Sequence, residues 1–364
     1  MQIIVTWMIF ISLSIYPTES PTQLSGEFSN FQSIEKRLFQ NEEILHLRLV
    51  GGINNLMKDR GDDHEYHSMR LEHIIKNDTL IDSIKVRTRG NFRRQKSNCK
   101  LPPLTLNFNN DSLGATSLFK GQTKLKLVLP CQGEKYVIRE YLVYKLYNLI
   151  NEYSFKVRLV RLTMYDTQKN KTYDPSYAFI IEDEDKMAAR VDARLLKRDG
   201  IKPGYIESEN FHKMAVFAYM IGNTDWSIQY RHNIKIIYPE RIGKLVSVPY
   251  DFDLVGMVDA PYALPAQELR MRSVKQRRYR GYCLKSMEAL YPIFYRFREL
   301  KESFYATFSN CTLLEEGYVK SMHQYLNEFY KTIDDPKKSR KAFLYPCDKY
   351  GTGNIVITGM PKMK

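Results

Sequence analysis

YMIGNTDWSIQYRHNIKIIYPERIGKLVSVPYDFDLVG, residues 219–256, decides how this chain is read. It runs from a helix end through a polar loop into a short β-branched strand, a tight turn and a second strand. IKIIY (234–238) and LVSV (245–248) have strand composition, and PERIGK (239–244) is turn chemistry. An antiparallel hairpin returns the chain to its start, so Asn233 is expected back beside Asp251. Asp225 precedes this unit and Asp253 closes it, so acid, amide and acid converge on one small space. A Mg²⁺ ion held by one or two carboxylates and by substrate phosphates requires such a convergence, and so does kinase-type phosphoryl transfer.

An Asp-x-Asp at a strand end is, taken alone, an ordinary turn or cap. The weight lies on the order: acid, loop, Asn, hairpin, acid. Protein kinases use that order, with a loop Asp as base and an Asn and a strand-end Asp as Mg²⁺ ligands. The chain departs from their pattern in three places. Asp225 and Asn233 stand eight apart, a wider gap than H-R-D-x-x-x-x-N leaves. No His-Arg precedes Asp225, and the strand-end motif is Asp251-Phe252-Asp253 rather than Asp-Phe-Gly.

Taken together, NTDW (223–226), HN (232–233) and VPYDFD (248–253) resemble the CotH-like family of atypical, often secreted kinases, named for a spore-coat protein. RTRGN (87–91) is similar to that family's R-x-R-G-N opening and stands in the expected order. The resemblance spans roughly residues 45–281. It implies an α+β, two-lobed protein-kinase-like fold with an antiparallel, β-rich N-lobe and a mainly helical C-lobe. It also implies ATP with Mg²⁺ or Mn²⁺, and transfer to a protein hydroxyl.

The first half of the chain supplies strand candidates at 44–50, 68–75, 83–90, 104–108, 124–129, 156–165 and 177–182, several of them cleanly alternating. Residues 53–66 read as a surface segment and 136–150 as a helix. Lys126 lies on KLKLV and Glu140 on the helix that follows; a strand Lys paired with the Glu of the next helix is how kinases fix the Lys on nucleotide phosphates. Lys100, which follows RTRGN as a family lysine does, is the alternative. EDEDK (182–186) is the sharpest change of composition and marks the hinge, so the N-lobe is placed at 44–182 and the C-lobe at 183–332. Glu182 is a further candidate for the nucleotide pocket; Asp183, Glu184 and Asp185 read as a solvated hinge or helix start. Residues 186–198, 207–221, 284–302 and 312–331 read as helices, and 258–270 as a Pro-rich, substrate-facing loop.

The ends and the composition bound the rest. Residues 3–15 form a mostly apolar run, too short for the roughly 20 residues of a membrane span and suited to a signal peptide over 1–20. Residues 21–43 read as a leader, and 333–364 as a basic tail, irregular at first, with a strand-like stretch at 354–359. The protein is thus expected to be exported, without a transmembrane segment in its mature form. Five widely spaced cysteines contain no C-x-x-C pair, which leaves zinc unsupported and one or two disulfides open. The net charge of +14 is spread over the 364 residues, with knots at 93–96, 275–280 and 337–341. No C₂H₂, RRM or KH pattern accompanies it, so nucleic acid is not an expected partner and solvated surface is the default reading.

The expected chemistry is therefore ATP-dependent phosphoryl transfer. Asp225 orients or deprotonates the acceptor hydroxyl, Asn233 and Asp251 hold the metal, and Asp253 holds a second ion or braces the first. A catalytically silent, kinase-shaped binding module is the alternative, since no glycine-rich G-x-G-x-x-G loop is present. A metal-dependent hydrolase is a third reading, with only His232 nearby as an extra ligand.

Overall fold

The computed structural model describes residues 38–75 and 78–346. The expected signal peptide, most of the leader and the strand-like stretch at 354–359 lie outside the described residues. Seven strands close into a barrel: β1 (Leu45–Gly51), β2 (His67–Ile75), β3 (Asp78–Thr88), β4 (Leu104–Phe108), β5 (Lys124–Val128), β6 (Val157–Asp166) and β7 (Lys171–Ile181). Their order around the barrel is β1-β2-β3-β4-β5-β7-β6. Alternation places Leu47, Leu49, Leu71, Val86, Leu104, Leu106, Leu125 and Leu127 inside, where they form one buried cluster.

The expectation of an all-antiparallel lobe is corrected at one seam. β6 runs parallel to β1, with Leu45 opposite Val160 and Gly51 opposite Asp166. The physical cause is the crossover: helix α2 (Glu134–Ile150) carries the chain from β5 over the barrel, and the β6–β7 hairpin fills the gap between β5 and β1. Closure leaves no unpaired edge. The segment after β1 is also not all surface. It forms a short helix, α1 (Ile53–Lys58), that buries Ile53 and Leu56 in the barrel core; two apolar side chains are too few to show a period.

After β7, Asp183 caps α3 (Glu184–Arg190), its carboxylate accepting from the Asp185 N–H at 3.0 Å. The expected helix over 186–198 stops there. Asp192 takes a left-handed φ of 49°, and Ala193–Leu196 becomes β8, paired with β9 (Ile234–Pro239). The hairpin of β9 and β10 (Val246–Pro249) is thus one side of a three-stranded sheet. An open strand edge nearby decided between helix and strand, and it is invisible locally.

Helix α4 (Ser208–Ile221) delivers the chain to the site, and α5 (Tyr291–Glu299), α6 (Lys301–Ser309) and α7 (Glu316–Ile333) complete the second core. The expected helix at 284–302 is split, because the chain re-caps at Leu300. The supposedly irregular tail folds as α8 (Pro336–Phe343), capped by Asp335 and opened by a proline at its first position. Phe343 is fully buried against Tyr219, Tyr279 and Phe294. The second core also takes in α2 and outward-facing barrel residues such as Val128, Leu159 and Phe179, so it crosses residue 182.

Candidate active site

α4 ends at Gly222, whose φ of 71° is left-handed and whose N–H bonds back to the last turn. A Cβ there would come within 2.9 Å of the Val274 carbonyl and 3.2 Å of Gly256 Cα, so only glycine fits. The chain then turns sharply. Asn223 N–H donates to Ala218 O at 2.7 Å, and the Asn223 side chain accepts from the Asp225 N–H at 3.0 Å. Asp225 is thereby fixed one step beyond the helix.

The eight-residue gap between Asp225 and Asn233 closes on itself. Ser227 and His232 exchange two backbone bonds, of 3.0 and 2.9 Å, which brings the loop's end back to its beginning. His232 Nε2 lies 2.8 Å from Asp225 Oδ1. Asn233 Nδ2 donates to both the Asp225 carbonyl and Oδ2, each at 2.9 Å. Two acceptors at one nitrogen fix the amide's orientation and turn Oδ1 away from Asp225. The bond to Asp225, opposed by burial, raises the His232 pKa above its ordinary value.

The hairpin then does what its pattern predicts. Ile234 stands opposite Pro249, and the Tyr250 N–H donates to the Asn233 carbonyl at 3.0 Å, which sets Asn233 beside the Asp251 corner. Both Asn233 (φ 53°) and Asp251 (φ 63°) are left-handed non-glycine residues, a strained geometry of the kind found at functional sites. Phe252 is fully buried against Tyr144 of α2 and Phe217 of α4, and the Asp251 N–H donates to the Tyr144 hydroxyl at 2.8 Å. The two carboxylates flanking Phe252 are held from both halves of the molecule.

The cation that meets them is one the sequence reading assigned to solvated surface. Arg93 is buried, and its guanidinium touches three carboxylates: Glu140 at 3.1 Å, Asp251 at 2.9 Å and Asp253 at 3.0 Å. The expected Lys126–Glu140 pair is therefore corrected. Glu140 is taken by Arg93, because a planar fork of five donors serves three acids and a single ammonium does not. Burial works against the charge on Arg93, but Asp253 and Glu140 hold its pKa well above the ordinary value. Burial pushes Asp253 up to about 8, with the neighbouring Asp251 and Glu140 adding to it against Arg93, and Tyr262 hydrogen-bonds to it. Burial would raise Asp251 too, but Arg93 and Arg89 hold it below the usual range. Burial outweighs Arg93 at Glu140 and raises it. Tyr262 belongs to the Pro-rich segment and packs its ring on Phe92, beside Arg93.

Arg93 lies on a stretch without helix or strand that is tied down by a disulfide between Cys99 and Cys131, just ahead of α2. Cys283 is also disulfide-bonded, and Cys311 is a free thiol. The signal for Arg93 was its place in RTRGNFRR, directly after the motif; composition alone classed it with the basic knots.

Lys126 sits elsewhere. Its ammonium is 3.7 Å from Glu184 and 5.2 Å from the centre of the Tyr250 ring. Burial, with Arg89 and Lys235 adding like charge, lowers its pKa to about 8 against the pull of Glu184. Lys100 is exposed, and its carbonyl accepts from Arg60 at 2.6 Å. Glu182 is buried and bound to Arg190 at 2.8 and 2.9 Å and to the Lys156 N–H at 3.0 Å, so it braces the chain after β7. Glu184, read as solvated, instead carries two lysines.

Asn233 Oδ1 and the second oxygen of Asp251, whose side chain is 41% exposed, are a donor pair suited to a hard divalent cation. Among the described residues no three His, Cys, Asp or Glu side chains gather as in an all-protein metal cage. Two oxygens supplemented by substrate phosphates are the Mg²⁺ pattern. Asp253 fits less well, since it is buried and one of its oxygens is already taken by Arg93 at 3.0 Å.

No family model matches the chain, and no curated protein matches it. Among solved structures it is similar to one described as the crystal structure of a Helicobacter pylori proinflammatory kinase, CtkA, at 13% identity and a TM-score of 0.39, over 65% of this chain and 93% of that one. A likeness at that level fixes neither fold nor activity, so the functional reading rests on the site's own geometry.

Proposed function

We propose that this protein is an exported, CotH-like atypical kinase that transfers the γ-phosphoryl group of ATP to a protein hydroxyl. The observation that carries the reading is the triangle of Asp225, Asn233 and Asp251. The Asn233 side-chain amide is locked to the first acid through its nitrogen, and the Asn233 backbone carbonyl accepts from the Tyr250 N–H, one residue before the second acid. Phosphoryl transfer is largely a matter of positioning and charge, and it needs a base, an amide and a strand-end acid in this arrangement. Asp225 accepts the acceptor's proton as its oxygen attacks phosphorus and the bond to the ADP oxygen breaks. His232 and Asn233 hold the two Asp225 oxygens in place. Asn233 and Asp251 would hold Mg²⁺ or Mn²⁺, which supplies neutralisation of charge on the phosphoryl oxygens. Asp253 braces Arg93, and Arg93 with Glu140 fixes Asp251. Lys126 meets the nucleotide's phosphates. The Cys99–Cys131 bridge favours an oxidising compartment, and no helix among the described residues is long and apolar enough to cross a membrane.

Incubation with γ-labelled ATP, Mg²⁺ or Mn²⁺ and a cell-envelope extract tests this. Wild type is expected to label a protein band, and Asp225→Ala to label it at least about a hundredfold more slowly. Equal labelling by the variant would remove Asp225 from the chemistry. One observation favours a silent binding module instead: Arg93 already occupies an oxygen on each of Asp251 and Asp253. ATP binding without any label transfer would select that reading.

A further inference from the structure

β5 and β9 belong to different sheets, yet a lysine from each reaches the same oxygen. Lys235 Nζ lies 2.6 Å from Glu184 Oε2, and Lys126 Nζ lies 3.7 Å from that same atom. The two ammonium groups are therefore no more than 6.3 Å apart, the sum of those distances. Each is 5.2 Å from the centre of the Tyr250 ring, whose face attracts cations without neutralising them. Arg89 adds a third positive charge within electrostatic range of Lys126. Glu184 is the carboxylate in ion-pair contact with both lysines, with Asp251 pulling on Lys126 from farther away, and both lysine side chains remain about one-fifth exposed. A structural ion pair needs one cation for one anion; a local surplus of partly exposed cations is complementary to a polyanion.

We propose that Lys126 and Lys235 form a two-ammonium clamp for the polyphosphate chain of a nucleoside triphosphate, with Glu184 holding the place of a phosphoryl group. The proposal rests on the phosphoryl-transfer reading and extends it to Lys235, which that reading does not use. Charge-assisted N–H···O bonds of about 2.8 Å span about 5.6 Å through one shared oxygen, and more through two oxygens of one phosphoryl group. One phosphoryl group thus bridges the gap. Its arrival frees the Glu184 carboxylate toward solvent, and the two lysines exchange one anion for another.

The clamp is tested by calorimetric titration of the full chain, without metal, using inorganic tripolyphosphate, ATP and adenosine. Lys235→Met is expected to weaken tripolyphosphate and ATP about tenfold and to leave adenosine unchanged; Lys235→Arg retains the binding. Glu184→Gln, which removes the competing carboxylate, is expected to tighten tripolyphosphate. These opposite signs cannot both come from damaged folding, and if Lys235→Met does not fold, Glu184→Gln decides alone. Unchanged tripolyphosphate affinity in either variant, or no binding to wild type, overturns the clamp. Wild type that binds tripolyphosphate but never transfers phosphate leaves the clamp standing and removes the kinase reading. Transfer by wild type with full binding by Lys235→Met does the reverse.

Discussion

Arg93 shows how much one side chain organises here. Three buried or half-buried carboxylates face a single guanidinium, and each would repel the others without it. Removing one partner of such a buried cluster typically costs about 3–5 kcal/mol, because the remaining charges stay desolvated and unpaired. Arg93→Met is expected to lose stability in that range in urea unfolding. Arg93→Lys should recover only part of it, since an ammonium lacks the planar fork that reaches Glu140, Asp251 and Asp253 together. A lysine variant as stable as wild type would mean that the charge alone, and not the fork, holds the site.

Among the elements, α4 and its terminus set the position of Asp225. The helix is buried along most of its length and stops at Gly222, where the positive φ and the close approach of residues 256 and 274 coincide. Gly222→Ala is expected to cost about 2 kcal/mol or more, combining the left-handed penalty with a backbone clash. Gly222→Asn, which tolerates positive φ, should not rescue it, because the obstruction at the Val274 carbonyl remains. Thermal melts of both variants check this, and a fully stable Asn variant would reduce the position to its φ alone. The hairpin of β9 and β10 is legible in the sequence: β-branched runs either side of PERIGK dictate its register, and the register dictates Asn233 beside Asp251. The loop of 227–232 was not readable, because the backbone bonds between Ser227 and His232 that shorten the eight-residue gap leave no compositional mark.

In the whole molecule, the site is assembled from both cores. Arg93 comes from a loop between barrel strands and Lys126 from a barrel strand, Glu140 from the crossover helix, and Asp225, Asn233, Lys235 and Asp251 from the sheet-and-helix half. A nucleotide held by Lys126 and Lys235 and, through its metal, by Asn233 and Asp251 would bind the folded state only and would stabilise it by mass action, about 2.7 kcal/mol at a hundred times Kd. ATP with Mg²⁺ is expected to raise the melting temperature by several degrees. Asp251→Asn should abolish the part of the rise that depends on Mg²⁺ and keep the part due to ATP alone. A rise of equal size in that variant would move the metal away from Asp251.

Order along the chain, strand alternation and turn chemistry were sufficient for most of the barrel strands, for helices α2 and α4, and for the acid–amide–acid corner, because each is written in residues within a few positions of one another. Tertiary structure alone decided the rest. Barrel closure by the parallel β1–β6 seam, the turning of Ala193–Leu196 into a strand, and the docking of α8 depend on edges and cavities presented by distant segments. The same holds for the choice of Arg93 over Lys126 as the partner of Glu140. A sequence shows which residues carry charge, but which cation reaches a buried acid is fixed by where the disulfide-tied loop lies once both cores have packed.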